Sequence, residues 1–354
     1  MERKLPINEK PFLTGYASHA NFLAIISTID DYEEWFFTNY IQLMSKKNFE
    51  VPHDVPLDFF IDIKRDSYYY LNNPLVYAQC IKLELLNVIC PDIVEFIINA
   101  IDSNTYVDIW LDEYYIPVKN AYKRYSKPHN NLVYGYDKEK KYFYMAGYVQ
   151  DGVNQFVGTY GIFHITFNEL YDAYKNCPYN EWYKSIYLYS IESHGGTIEK
   201  YKFNIGTVKR SLESYLYSEN SLFNYANVVP KTNRFSFGLD VYQDLLSNLD
   251  MGHYYPDDIR PLELLVEHKK CMVDRIIYLY SKKYISKEEC EMLNLFSSEI
   301  LKYTLKARNL QLKYIISKRG NLDYYRNLLR ELPGIEKRFL EKMLSVLKAN
   351  GVEA

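Results

Sequence analysis

The side chains able to do covalent or acid–base chemistry are few and scattered in this chain. Its 354 residues hold seven histidines and five cysteines. Cys80, Cys90, Cys177, Cys271 and Cys290 form no Cys-x-x-Cys pair, and no histidine stands at metal-ligand spacing from another histidine or a cysteine. No metal site and no disulfide framework is expected, and the thiols read as small buried hydrophobes. GxSxG, Walker, GxGxxG and HExxH patterns are missing, so the common serine-hydrolase, nucleotide and zinc-peptidase signatures give no lead. Gly195-Gly196 in SHGGT reads as a turn between strands.

One histidine has a context suited to proton transfer. His129 leads the apolar run NLVYGYD, which the charged turn KEKK joins to YFYMAGY. Both arms are rich in aromatic and β-branched residues, the pattern of a hairpin. An imidazole at the head of such a strand, facing the N-terminus of a buried helix, is the arrangement that activates a cysteine. The helix dipole and the imidazole together stabilise the thiolate. A helix start of this kind lies at Tyr16-Ala17-Ser18-His19-Ala20, with Ala17 at its head, but the first 79 residues contain no cysteine. Ser18 is the neighbouring hydroxyl, and one residue along a helix it points ~100° away from that position. Ser18 and His19 are candidate substrate contacts, although His19 reads more readily as a satisfied core histidine. Asp137 is eight residues beyond His129, roughly 26 Å along a strand, too far to orient its ring. A partner on the returning strand would fall near residues 146–151, where Gln150 and Asp151 are the polar choices. Asp151 is preferred for its charge.

These segments carry a resemblance. His129 to Tyr148 resembles the histidine-bearing hairpin of papain-fold enzymes, including bacteriocin-type cysteine peptidases, and Tyr16 to Ile26 resembles their nucleophile helix. DDIRPLELLVEHKKCMVDRIIYL is similar to the helical region of papain-fold acyltransferases of antibiotic assembly lines, such as the butirosin-type acyl transferase and the amide synthetase of closthioamide biosynthesis. The resemblance implies an α+β papain-like core and a catalytic set of position 17, His129 and a third residue. It further implies transfer of an acyl group from the phosphopantetheine thioester of an acyl or peptidyl carrier protein to a small amine, forming an amide without a cofactor of the enzyme's own. Ala17 in place of the thiol makes the chain either an inactivated Cys-to-Ala form or a natural binding protein. A cysteine peptidase would use the same positions. Pro11 stands where the resemblance places an oxyanion-hole glutamine, leaving that task to backbone N–H groups at the helix start.

The elements that would position these residues are legible in outline. Helical spacing starts near residue 17. Asp30-Asp31 then opens DDYEEWFFTNYIQLMSKK as a second helix, with acids in its first turn and lysines in its last. A helical stretch over 74–101 is interrupted at Pro91. After the hairpin come QFVGTYGIFHI as a strand, a Thr166-x-x-Glu169 capping box opening FNELYDAYK, SIYLYSIE as a strand, and YKFNI returning beside it. Helices over 207–219, 257–283, 286–318 and 321–349 follow, with Asp257, Ser286 and Asn321 as caps. This order places a papain-like core at 1–206 and a helical region at 207–354. Glu267-His268-Lys269-Lys270 reads as a solvated helix face. Lys119, Lys123, Arg124 and Lys127 read first as a solvated helix or loop face, and otherwise as a basic patch for an acidic carrier or its phosphopantetheine phosphate.

Composition excludes other classes. Lys+Arg 42 against Asp+Glu 45 gives a net charge of -3, which recruits neither nucleic acid nor an acidic membrane surface. No apolar run approaches the ~20 residues of a bilayer span. The start MERKLPINEKPF lacks the signal-peptide pattern, so a cytoplasmic protein is expected. The 38 tyrosines read as core and half-buried surface.

Overall fold

The computed structural model describes residues 1–47, 56–61, 73–149, 158–178, 184–191, 201–221, 235–250, 258–319 and 322–352. The chain is α+β and forms two compact units, one of residues 1–32 and 64–201, the other of 33–63 and 202–354. Residues 33–63, placed with the N-terminal core in the sequence reading, thus belong with the C-terminal helices. Among the described residues no helix is long and apolar enough to cross a membrane.

The first unit is built on a seven-stranded antiparallel sheet. In chain order its elements are β1 (Glu2–Lys4), α1 (Ala17–Ile26), β4 (Tyr77–Lys82), α3 (Leu83–Ile89), α4 (Ile93–Asp102), β5 (Thr105–Asp112), β6 (Pro128–Asp137), β7 (Tyr142–Val149), β8 (Thr159–Thr166), α5 (Phe167–Lys175) and β9 (Ser185–Ser190). The sheet order is β4-β9-β5-β6-β7-β8, with β1 extending the β5 side of β6. The β6–β7 hairpin and the Thr166–Glu169 capping box form as the sequence predicts. The stretch over 74–101 does not form one helix. Residues 77–82 are instead the edge strand β4, and their Cys80 is exposed. The helical part breaks at Pro91 as expected, and Asp92 caps α4 by accepting from Val94 and Glu95. YKFNI does not return beside β9, whose neighbours are β4 and β5.

Two helices and the strand pattern define the sheet faces. On β5, Val107, Ile109 and Leu111 alternate with Tyr106, Asp108 and Trp110, and a hydrogen bond from Asn21 of α1 to Asp108 marks the second set as the α1 face. α1 packs on β6 and β7 and is buried all round except at Ser18, which explains its lack of a polar stripe. α4 and α5 also pack on β5. Gly135 is required where β1 crosses β6: a Cβ there would sit 2.6 Å from the Arg3 carbonyl oxygen. Its neighbour Tyr136 donates to Asp102 of α4 at 2.5 Å. The Gly-Tyr pair downstream of His129 therefore has a packing cause.

The second unit comprises α2 (Tyr32–Asn39), β2 (Leu43–Lys46), β3 (Leu57–Phe59), α6 (Ile205–Leu216), β10 (Phe235–Phe237), α7 (Val241–Asp250), α8 (Arg260–Ser281), α9 (Lys287–Ser317) and α10 (Leu322–Ala349). The expected second helix ends at Asn39, and its Leu43–Lys46 end is β2, the centre of a β10-β2-β3 sheet. Ser286 caps α9 in a full capping box; the caps expected at Asp257 and Asn321 lie outside the described residues. Glu267-His268-Lys269 is not a solvated face but a buried one. Burial lowers the Lys269 ammonium below its ordinary range, and Glu336 of α10 pairs with it. Lys269 also donates to His268 Nδ1 at 3.0 Å and to the Tyr215 hydroxyl at 3.2 Å. His268 Nε2–H then donates to the Ile41 carbonyl at 2.8 Å, and Tyr242 donates to Glu336 at 2.7 Å. Removing one partner of such a pair leaves a buried, uncompensated charge. Lys269→Ala is expected to cost about 3–5 kcal/mol, while Lys269→Met combined with Glu336→Leu costs much less. Urea denaturation of the three proteins checks this, and equal losses for the single and double variants would contradict it.

Candidate functional site

The site is assembled at the end of the sheet where β5 and β7 terminate and β6 begins. Asp112, the last residue of β5, clasps the incoming and outgoing chain. Its Oδ1 accepts from the backbone N–H of Tyr114 at 3.0 Å and of Lys127 at 2.8 Å, and its Oδ2 accepts from Ser126 Oγ at 2.6 Å. The Glu113 N–H donates to the Lys127 carbonyl at 3.0 Å. A 3-10 turn over Glu113–Tyr115 is thereby tied to the segment that leads into His129.

Glu113 is buried among cations. Its carboxylate lies 3.1 Å from Lys127 Nζ, 3.5 Å from Lys119 Nζ and 3.9 Å from His129 Nδ1. Burial works to raise the carboxyl, but His129, Lys119 and Lys127 outweigh it and hold it below its ordinary value. Lys119, only 3% exposed, donates to Asn131 Oδ1 at 2.7 Å and to the Tyr148 carbonyl at 2.6 Å. Its ammonium also lies 4.6 Å from the Phe163 ring centroid. Burial pushes Lys119 down to about 8 against the pull of Glu113. Gly147 makes this possible: a Cβ there would stand 2.8 Å from Asn131 Oδ1 and 3.3 Å from Lys119 Nζ. Lys119 is therefore a buried structural cation and not part of an exposed patch. Of the four bases, Lys123, Arg124 and Lys127 are exposed.

His129 is the second residue of β6 and stands opposite Leu111. A quarter of its side chain remains accessible. Its ring centroid lies 5.6 Å from that of Tyr148, edge to face, and 6.3 Å from that of Trp110. Burial, opposed by Glu113 and reinforced by Lys127 and Lys119, pushes the imidazole down to about 4. It is neutral at pH 7. The Asn130 carbonyl lies 3.2 Å from Nδ1.

Ala17 is the first residue of α1 and 5% exposed; Tyr16 precedes it in extended conformation and supplies no side-chain cap. Tyr148 connects this region to His129, since its hydroxyl donates to the Thr14 carbonyl while its ring packs on the imidazole. Ser18 is half-buried. His19 is fully buried, its ring 6.3 Å from that of Tyr16, closed to any ligand arriving from solvent. Asp137 sits at the hairpin turn, accepting from the N–H groups of Glu139 and Lys140. Asp151 and Gln150 lie outside the described residues.

The sequence reading missed Glu113 and a second polar group beneath α1. Asn21, one helical turn beyond Ala17 on the same face, donates to Asp108 Oδ2 at 3.1 Å and accepts from the Tyr160 hydroxyl at 3.0 Å. By strand alternation Asn130 shares the Asp108 face, whereas His129 starts on the opposite face, with Leu111, and meets Trp110 and Tyr148 of the α1 face only at the strand end. Among the described residues Asp108 Oδ1 and Asn130 Nδ2 are both buried and make no hydrogen bond of ordinary geometry, although the Asn130 amide is near enough to act on the carboxyl. Acidic residues next to alternating apolar positions, as in YVDIWLDEYY, were the available signal. Among the described residues no three His, Cys, Asp or Glu side chains converge as a metal site. Compared with known proteins, the chain matches no family model and no curated sequence.

Burial pushes Asp108 up to about 7, with Asn21 and Asn130 opposing. The ordinary carboxyl value is 3.8, so between pH 3.8 and 7 the folded protein retains a proton that the unfolded chain has lost. Stability from this group therefore declines as pH rises through that window. Asp108→Asn is expected to abolish the decline, stabilising the protein at pH 8 relative to wild type more than at pH 5. Urea midpoints at the two pH values check this; an equal shift at both would contradict it.

Proposed function

We propose that the first unit is the scaffold of a papain-like acyltransferase. In this reading a thiol belongs at position 17, His129 is its base, and the acyl donor is a thioester on the phosphopantetheine arm of a carrier protein. The observation that carries the reading is the Tyr148 bridge. One side chain bonds the backbone three residues before Ala17 and packs on the only described imidazole that is both partly accessible and within 4.0 Å of a carboxylate. The start of a buried helix at Ala17 adds the positive end of a dipole, which stabilises a thiolate.

The chemistry then balances as follows. His129 takes the proton of the position-17 thiol, and the sulfur attacks the thioester carbonyl. The carbon–sulfur bond to the carrier breaks, and the carrier thiolate leaves with the proton from His129. A small amine attacks the acyl-enzyme and gives a proton to His129. The amide departs as the proton returns to the sulfur. With Ala17 the first bond cannot form, and the chain would hold the donor without accepting its acyl group. That alanine favours a second reading, a non-catalytic acyl-donor-binding protein.

Ala17→Cys separates the two. Intact-protein mass spectrometry with an acyl-pantetheine thioester is expected to show an increment of one acyl group. That increment should disappear, with amide released, when a diamine is added. His129→Ala in the same background should slow adduct formation by about 10²-fold or more. No adduct would overturn the transferase reading in favour of binding, and cleavage of peptides would redirect it to a peptidase.

A further inference from the structure

We propose that Glu113 is the positioning residue of this site, its carboxylate facing the Nδ1–H of His129 and leaving Nε2 as the base. The purpose assigned to that base rests on the acyl-transfer reading; the geometry does not. Both groups next to Nδ1, the Asn130 carbonyl at 3.2 Å and the Glu113 carboxylate at 3.9 Å, are acceptors. A neutral imidazole between them keeps its proton on Nδ1. Among the described residues the other ring contacts of His129, Trp110 and Tyr148, offer packing.

Three features distinguish Glu113 from an incidental surface acid. First, it is held rigidly, because Asp112 and the Glu113 N–H clasp the turn to residues 126–127, immediately before His129. Second, it is shielded from water, with only 3% of its side chain accessible. Third, its charge is already balanced. Lys119 and Lys127 share the carboxylate, so it does not hold His129 permanently protonated, and the ring is a neutral base in the resting protein. When His129 takes a proton, the new positive charge forms 3.9 Å from a fixed negative one, and the pair can close to hydrogen-bond length. That is the task of the acid in a nucleophile–imidazole–carboxylate set: it fixes the tautomer and stabilises the imidazolium. The acid here precedes the histidine in sequence and comes from the end of β5, not from the returning strand.

Long-range ¹H–¹⁵N correlation spectra of His129 at pH 7, in the chain with Ala17 unchanged, test this directly. The Nδ1–H tautomer is expected to dominate. Glu113→Gln should raise the Nε2–H population, and Glu113→Asp, which keeps a charge for Lys119 but withdraws it from the ring, should do so partially. If Glu113→Gln fails to fold, Glu113→Asp alone decides. A dominant Nε2–H tautomer in the parent chain, or a tautomer that neither folded variant moves, overturns the proposal. In the Ala17→Cys background, Glu113→Gln should slow acylation at pH 7 by about 10²-fold, with Glu113→Asp recovering part of the loss. Should Ala17→Cys never acylate while the tautomer responds to Glu113, the transferase reading fails and the Glu113 assignment stands. Should it acylate while the tautomer is unmoved, only the Glu113 assignment fails.

Discussion

The buried ammonium of Lys119 is the constraint on which the candidate site depends. A lysine in an apolar interior is tolerated only when its donors are met and its charge is balanced. Here the side-chain oxygen of Asn131 on β6, the main-chain oxygen of Tyr148 on β7 and the carboxylate of Glu113 beyond β5 do this together. One side chain thus fixes the spacing of three successive strands at the end where His129 and Tyr148 emerge. Gly147 follows from it, because any side chain at that position would occupy the space of the Lys119–Asn131 bond. Glu113 follows as well, since without the carboxylate the ammonium would be an uncompensated charge.

The same electrostatics set the character of the imidazole. Two ammonium groups, Lys119 and Lys127, share the Glu113 carboxylate that faces His129, and the accessible quarter of the ring is its route to solvent and ligand. A neutral imidazole beside a compensated carboxylate is a usable base, whereas one beside an unshared carboxylate would bind a proton more tightly. Across the sheet, α1 is anchored by Asn21 on Asp108 as well as by apolar contact. This restricts how the helix can slide or rotate, because a shift would strand a carboxylate and an amide in an apolar layer.

The second unit obeys the same rule with different residues. α8 buries Glu267, His268, Lys269 and Arg275. Lys269 meets Glu336, and Arg275 donates to the carbonyls of Phe37 at 3.0 Å and Tyr40 at 2.6 Å, where α2 ends and leaves carbonyls without helical partners. His268 holds the next carbonyl, Ile41. Residues 37–41 are tied to α8 by these bonds, despite lying far from it in sequence.

What the sequence determined by itself was whatever depends on neighbouring residues. Thr166–Glu169 and Ser286–Glu289 specify their capping boxes locally, the NLVYGYD–KEKK–YFYMAGY pattern specifies its hairpin, and Pro91 breaks its helix. Ala17 at a helix start and His129 at a strand head were legible for the same reason. Tertiary structure decided the rest. The stretch 77–82 has helical spacing, yet β9 offers it a strand partner and it becomes β4; residues 43–46 likewise become β2 between β3 and β10. Lys119 and Lys269 read as solvated because their compensating acids are set by the fold, six residues away across a turn for Glu113 and 67 residues away for Glu336. Whether a charge is buried is decided by which distant group can meet it, and that pairing is not written in the spacing of the residues around it.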